Sequence, residues 1–279
     1  MKSLETTVRN ALAASLVCAA IASTAWAQDA ATLIDQTLVG NHRSDANKAR
    51  DQYRHPKETL LFFGLKPNMT VVEVWPSAGW WTEILAPVLQ DQGKYYAAWY
   101  ATQFKGAPAV LKEREKGFDA MLAGNPGLYG KVVKTALMAP EYVDIAPRGS
   151  ADMVLTFRNV HNWAALGEEA VLQVFKSVHA VLKPGGVLGV VDHRLPTSQV
   201  QDAKASSGYV HQAYVTRLAL AAGFRLAGAS EINANPKDSA DHPGGVWALP
   251  PTYGNKDRDR TRFEAVGESD RFTLKFVKP

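Results

Sequence analysis

Residues 71–87 read VVEVWPSAGWWTEILAP. Val71 to Trp75 is a short β-branched apolar run broken only by Glu73, as expected of a strand buried on both faces of a parallel sheet. Pro76, Ser77, Ala78 and Gly79 make a tight turn, and WWTEILAPVLQ follows with apolar residues at helical spacing. Strand, small-residue turn and helix form the opening unit of a doubly wound α/β fold. In that unit the turn backbone and the helix N-terminus face whatever binds at the sheet's carboxyl edge. The same residues also read as a plain strand-to-helix corner, with Glu73 capping a neighbouring amide.

Strands and helices alternate from there on. KYYAAWY (Lys94 to Tyr100), KVVKTAL (Lys131 to Leu137), ADMVLTFR (Ala151 to Arg158), VLGVVD (Val187 to Asp192) and FRLAGASEI (Phe224 to Ile232) read as strands. Val110 to Leu122, Glu168 to Leu182 and Tyr209 to Ala222 read as helices, and RFTLKFVKP closes the chain as an alternating strand. Ahead of Val71, residues 28–70 form a polar, helix-prone lead in which Pro56 and Gly64 punctuate one helix. This lead is expected either to lie over the sheet's carboxyl edge as a lid or to serve as a simple N-terminal buttress. No internal repeat or low-complexity tract interrupts the pattern.

The run from Glu73 to Gly79 resembles motif I of the class I S-adenosylmethionine-dependent methyltransferases, in which a strand with an acidic residue leads into G-x-G-x-G. Trp75 stands at the first glycine position, Ser77 at the second, and only Gly79 is kept. LKPGG, whose Lys183 to Gly186 is expected to join a helix to the fifth strand through a tight turn, SADMVLTFRNVHNW, and the terminal RFTLKFVKP are similar to later parts of that family. The resemblance covers roughly residues 50–279. FFGLKP, GWWTEILAP, FRNVHNW, VVDHR, EINANPKD, DHPGGVWALPP and ESDRFTLKFVKP are similar to a group of exported bacterial predicted methyltransferases. What this implies is a mostly parallel seven-stranded sheet with a reversed last strand. It also implies S-adenosylmethionine as cofactor, held by Glu73, Pro76, Ser77, Ala78, Gly79 and Asn159. The second strand ends in Ala98-Trp99-Tyr100, without the acid that the family uses for the ribose hydroxyls; Trp99 or Tyr100 is then available to stack on an adenine, or both rings fill core.

The chain has 279 residues, 46% hydrophobic and 21% charged, enough for one large globular domain. A net charge of +4 spread without a Lys/Arg block does not indicate nucleic acid. Residues 1–27 read as a signal peptide. Lys2 and Arg9 precede an apolar Ala11 to Ser23 core, too short for the ~20 residues a membrane span needs, and Ala25-Trp26-Ala27 is an A-x-A cleavage site. Cleavage there predicts a periplasmic or secreted protein with no membrane partner. Cys18 is the only cysteine and falls inside that segment, which excludes disulfides and thiol chemistry from the mature chain.

Chemistry in open α/β sheets gathers beyond the carboxyl ends of the strands. Arg158 to Trp163 follows the fourth strand and Asp192-His193-Arg194 the fifth, so His161, Asp192 and His193 are the candidate catalytic residues, with a His beside a carboxylate as general base. A long insertion at 231–269 carries Asn233, Asn235, Asp238, His242 and Trp247, expected to contact a small-molecule substrate; Pro236, Pro243, Pro250 and Pro251 stiffen it. A nitrogen/oxygen metal site drawn from His161, His193, His211, His242, Asp192 and Asp241 is the rival chemistry, but no HExxH or comparable spacing exists, so none is assigned. Two functions follow: a methyltransferase acting on a small molecule, or a non-enzymatic ligand-binding module on the same fold with an altered cofactor site.

Overall fold

The computed structural model describes residues 30–103 and 107–279. The predicted signal peptide lies outside the described residues. Seven strands form one sheet: β1 Thr70–Val74, β2 Lys94–Tyr100, β3 Val133–Leu137, β4 Ala151–Phe157, β5 Leu182–His193, β6 Arg225–Ser230 and β7 Arg271–Val277. Their order is β3-β2-β1-β4-β5-β7-β6. Strands β1 to β5 pair with one another in parallel, whereas β7 runs antiparallel between β5 and β6. This is the doubly wound α/β sheet with a reversed last strand that the sequence predicts.

Strand composition explains the layering. In β1, Val71 packs into one core layer while Val72 and Val74 pack into the other, so both faces are covered as in other parallel sheets. In β7 the alternation is complete: Phe272, Leu274 and Phe276 enter one layer, whereas the buried Thr273 hydroxyl accepts from Asn233 on the other side. Gly189 in β5 has a packing reason. A Cβ there would come within 2.7 Å of Leu155 and 2.9 Å of Phe63, so glycine lets the helix bearing Phe63 lie flat on the sheet.

The described part of the lead, residues 30–69, folds as four helices, α1 (residues 30–38), α2 Asp45–Lys48, α3 Asp51–Arg54 and α4 Pro56–Phe63. Ile34, Leu60 and Phe63 join the core layer that holds Val71, and Asn47 donates to both Glu83 carboxylate oxygens at 3.0 Å. The lead both buttresses the sheet and, through α3, reaches its carboxyl edge. After β1 come α5 Thr82–Leu89, α6 Ala109–Gly124, α7 Pro126–Tyr129, α8 Val160–Ala164 and α9 Glu168–Val181. The last helices are α10 Gln212–Ala221 and α11 Arg260–Val266.

Two local expectations are corrected. The Lys183-Pro184-Gly185-Gly186 turn is a bulge within β5, where pairing with β4 shifts between Ala151 and Met153; backbone bonds between Gly185, Gly186 and Lys278 hold it in the sheet. Trp80 and Trp81 precede α5 rather than opening it, because the turn carries on to Trp81. Among the described residues no helix is long and apolar enough to cross a membrane.

Candidate active site

The chain runs outward from β1 to β3 and then crosses to β4 on the other side of β1, so the strand order reverses between β1 and β4. Loops leaving those two carboxyl ends diverge and leave a crevice. A cavity of about 400 Å³ lies there. The β1 turn and the end of β4 line it, and so do Arg50 and Arg54 of the lead and a stretch of the insertion.

The β1 turn keeps the backbone of a glycine turn with other side chains. Trp75 (φ 51°), Ser77 (φ 56°) and Gly79 (φ 84°) all adopt left-handed conformations, and the two non-glycine residues carry strain of about 1 kcal/mol or more each. Trp75 is held there by its indole, which stacks on Tyr100 with centroids 4.1 Å apart and donates Nε1–H to Leu137 O at 2.9 Å. Pro76, Ser77 and Ala78 line the cavity. Gly79 does not. A Cβ on Gly79 would meet Met121 at 2.6 Å, so this glycine accommodates α6 rather than the close ligand approach expected of it.

Glu73 is 2% exposed. Tyr95 and Thr82 both donate to its Oε2, the latter at 3.1 Å. Burial pushes its carboxyl up to about 7 against the pull of those two hydrogen bonds. Asn159 spends its amide hydrogens on Val74 O (2.9 Å) and Thr156 Oγ1 (3.2 Å). Only its Oδ1 is left for a ligand, which suits an amino group and not a carboxylate.

His161 and the Asp192-His193 pair meet at this cavity. His161 Nδ1 lies 2.8 Å from Asp192 Oδ1, and the backbone N–H groups of His161 and His193 donate to the same carboxylate. Asp192 is fully buried and acts from behind, while both imidazoles line the cavity. The carboxylate accepts the Nδ1 proton, which leaves Nε2 as the basic nitrogen; among the described residues nothing bonds to it. His193 Nδ1 lies 2.5 Å from Ser269 Oγ. Burial first, then the charges of His161, Arg158, Arg271 and Arg54, hold His193 well below the usual imidazole value, so it stays neutral. His161, Asp192 and His193 also place ligand atoms within 4.8 Å of one another, close enough to hold a metal ion. A cation there would face the guanidinium groups that already depress His193, and Asp192 already accepts three N–H groups.

Other expected contacts are placed elsewhere. Trp99 is 1% exposed and stacks on Phe118 at 5.0 Å, so Tyr100 is the ring from β2 that borders the cavity. Asn233 braces Thr59 against Thr273. Asn235 donates to Val266 O and Glu268 O. Asp238 accepts from Tyr209, His242 (2.8 Å) and the amides of Ala240 and Asp270. These four polar residues of the insertion fold it instead of lining the cavity, because a long loop must satisfy its own buried backbone. Of the five expected there, only Trp247 faces the cavity.

Three groups that the motif reading passed over complete the wall. Arg50 and Arg54 project from the lead, and Glu268 from the end of the insertion. Arg50 Nε donates to Glu268 at 2.6 Å, Arg54 Nε at 3.1 Å, and Arg271 Nη1 lies 3.2 Å away. These guanidinium groups hold the Glu268 carboxyl far below the usual range despite its burial. The sequence signal for the pair was the i, i+4 spacing of Arg50 and Arg54.

No protein-family model matches the chain, and no curated protein matches it. Solved structures do. A SAM-dependent methyltransferase from Aquifex aeolicus is 17% identical over 83% of this chain and 93% of its own, with a TM-score of 0.54. The geranyl diphosphate C-methyltransferase of Streptomyces coelicolor, solved with Mg2+, geranyl diphosphate and S-adenosyl-L-homocysteine, is 11% identical over 87% of each chain, with a TM-score of 0.54. SpnF, a (4+2)-cyclase, is 14% identical over 86% of each chain, with a TM-score of 0.53. Strand order, the reversed β7 and these likenesses agree: the chain has the class I methyltransferase fold, with its cavity at the crevice between β1 and β4.

Proposed function

We propose that this protein is an exported S-adenosylmethionine-dependent methyltransferase acting on a small molecule. One observation carries the reading: a His161–Asp192 pair opens onto the same cavity as the left-handed β1 turn. The residues present fit the cofactor. Pro76, Ser77 and Ala78 offer turn backbone, Asn159 Oδ1 and Glu73 are acceptors for an amino group, and the Trp75–Tyr100 stack offers an aromatic wall. Tyr100 stands in for the missing ribose acid by packing alone, so binding should be weak. The cofactor supplies an electrophilic methyl group. His161 Nε2 is placed to take the proton that the acceptor's nucleophilic O–H or N–H gives up, and Asp192 fixes the tautomer and stabilises the imidazolium. The signal-peptide pattern of Met1 to Ala27 supports export, and the lead and insertion, which supply Arg50, Arg54 and Trp247 to the lining, act as covers over the cavity.

A second reading, a binding module without methyl transfer, is favoured by Trp75 in place of the first glycine. Calorimetry on the mature protein separates the two. In the enzyme reading S-adenosylmethionine and S-adenosylhomocysteine both bind, and Trp75→Ala weakens them by removing the stacking wall. A rise in affinity in Trp75→Ala would show that the indole blocks the site. No heat with either ligand at about 1 mM would end the methyltransferase reading.

A further inference from the structure

The cavity carries more positive charge than its own carboxylates neutralise. Arg50, Arg54, Arg114 and Arg158 line it, against Glu268 and Glu73, whose carboxyl burial pushes up to about 7. Glu268 is also shared with Arg271 behind the wall. The pairing is incomplete atom by atom. Arg54 is 2% exposed, and its Nη2, like that of Arg50, is buried without any hydrogen-bond partner. The Arg158 side chain has no hydrogen bond or ion pair among the described residues, and a left-handed backbone (φ 62°) aims it from the end of β4. Burial draws Arg54 well below, and Arg158 down to about 10 from, the usual guanidinium value; both remain charged at neutral pH. Buried, unpaired N–H donors on charged groups are costly and are retained where something satisfies them.

We propose that the methyl acceptor is an acid, and that Arg50, Arg54 and Arg158 clamp its oxyanion, a phosphoryl or carboxylate group, in the cavity. The guanidinium fork matches either group through paired N–H donors. The clamp joins the lead to the end of β4, and its three arginines line the same cavity as His161. That the bound acid is a methyl acceptor rests on the methyl-transfer reading; the anion clamp itself does not. The one competing source of an oxyanion is the cofactor's own carboxylate. With Glu268 counted against them, the three guanidinium groups still leave two positive charges, more than one carboxylate, itself next to an amino group, needs for neutrality, and Asn159 leaves the amino end accounted for.

Pyrophosphate titrated into the mature protein, followed by calorimetry and by thermal midpoint, tests this without any turnover. The parent is expected to bind it and to gain thermal stability. Arg158→Gln, which breaks no pair in the fold, should lose about tenfold or more in affinity, as expected for one charge-assisted contact. Glu268→Gln leaves Arg50, Arg54 and Arg271 uncompensated, so its midpoint should fall and pyrophosphate should restore it by more than it raises the parent's. Repeating the titration with saturating S-adenosylhomocysteine separates the two sources. Unchanged pyrophosphate affinity assigns the clamp to the acceptor; mutual exclusion assigns it to the cofactor's carboxylate and overturns the proposal. Absence of binding at about 10 mM pyrophosphate, or equal affinity in parent and Arg158→Gln, also overturns it. If pyrophosphate binds and S-adenosylhomocysteine does not, the anion clamp stands and the methyltransferase reading fails.

Discussion

Glu73→Gln is expected to abolish a loss of stability that the parent suffers between about pH 5 and pH 8. Glu73 is 2% exposed, receives hydrogen bonds only from Tyr95 and Thr82, and has no cationic partner among the described residues. Its carboxyl rises from the ordinary 4.5 to about 7 because burial penalises the charged form more than those two donors favour it. The folded state thus keeps a proton over a range where the unfolded chain has lost it. The stability this confers is full below 4.5 and is lost as pH rises through about 7. At about 1.4 kcal/mol per pH unit, the rise is worth about 3 kcal/mol. Gln is nearly isosteric with the protonated acid and cannot ionise, so the variant should gain most of that difference on the parent at pH 8 relative to pH 5. Urea unfolding of both proteins at the two pH values reads it directly. His193, drawn below its ordinary value by burial, acts in the opposite sense: it adds stability above pH 6.5 that is lost as pH falls. That contribution is common to both proteins and cancels in the comparison. Equal pH dependence in parent and variant would refute the account of Glu73 as a carboxyl buried against its preference.

Asp238→Ala should cost about 3 kcal/mol, since it strips acceptors from Tyr209, His242 and two amides at once; an unfolding free energy within about 1 kcal/mol of the parent would refute its role as the brace of the insertion. Gly189→Ala should destabilise by about 1–3 kcal/mol through collision with Phe63 and Leu155, read by denaturant midpoint, and a neutral effect would show that α4 can shift. Asp192→Asn should release the His161 tautomer. Nitrogen NMR of the imidazole is expected to show Nδ1 protonated in the parent and a mixed population in the variant; identical spectra would refute the orienting role.

Much of the fold was written in local patterns. The β-branched run at Val71, the alternation of Phe272, Leu274 and Phe276, and the punctuation by Pro56 and Gly64 each report burial and backbone preference within a few residues. The meeting of His161 with Asp192 was legible too, because two successive strand ends must neighbour each other once the sheet order is known. What the sequence could not rank was which polar residues face the ligand and which hold the loops. Asn233, Asn235, Asp238 and His242 look like a binding cluster in one dimension, but in three they satisfy Thr59, Thr273, Tyr209 and their own backbone. Trp75 and Ser77 look like a broken glycine motif, but the indole's stack on Tyr100 and its bond to Leu137 hold a glycine-like backbone in place. The arginine clamp was hidden for the same reason. Arg50 and Glu268 are 218 positions apart, and only the folded sheet edge decides that Arg50, Arg54 and Glu268 line one cavity while an Nη2 of each arginine is left unpaired.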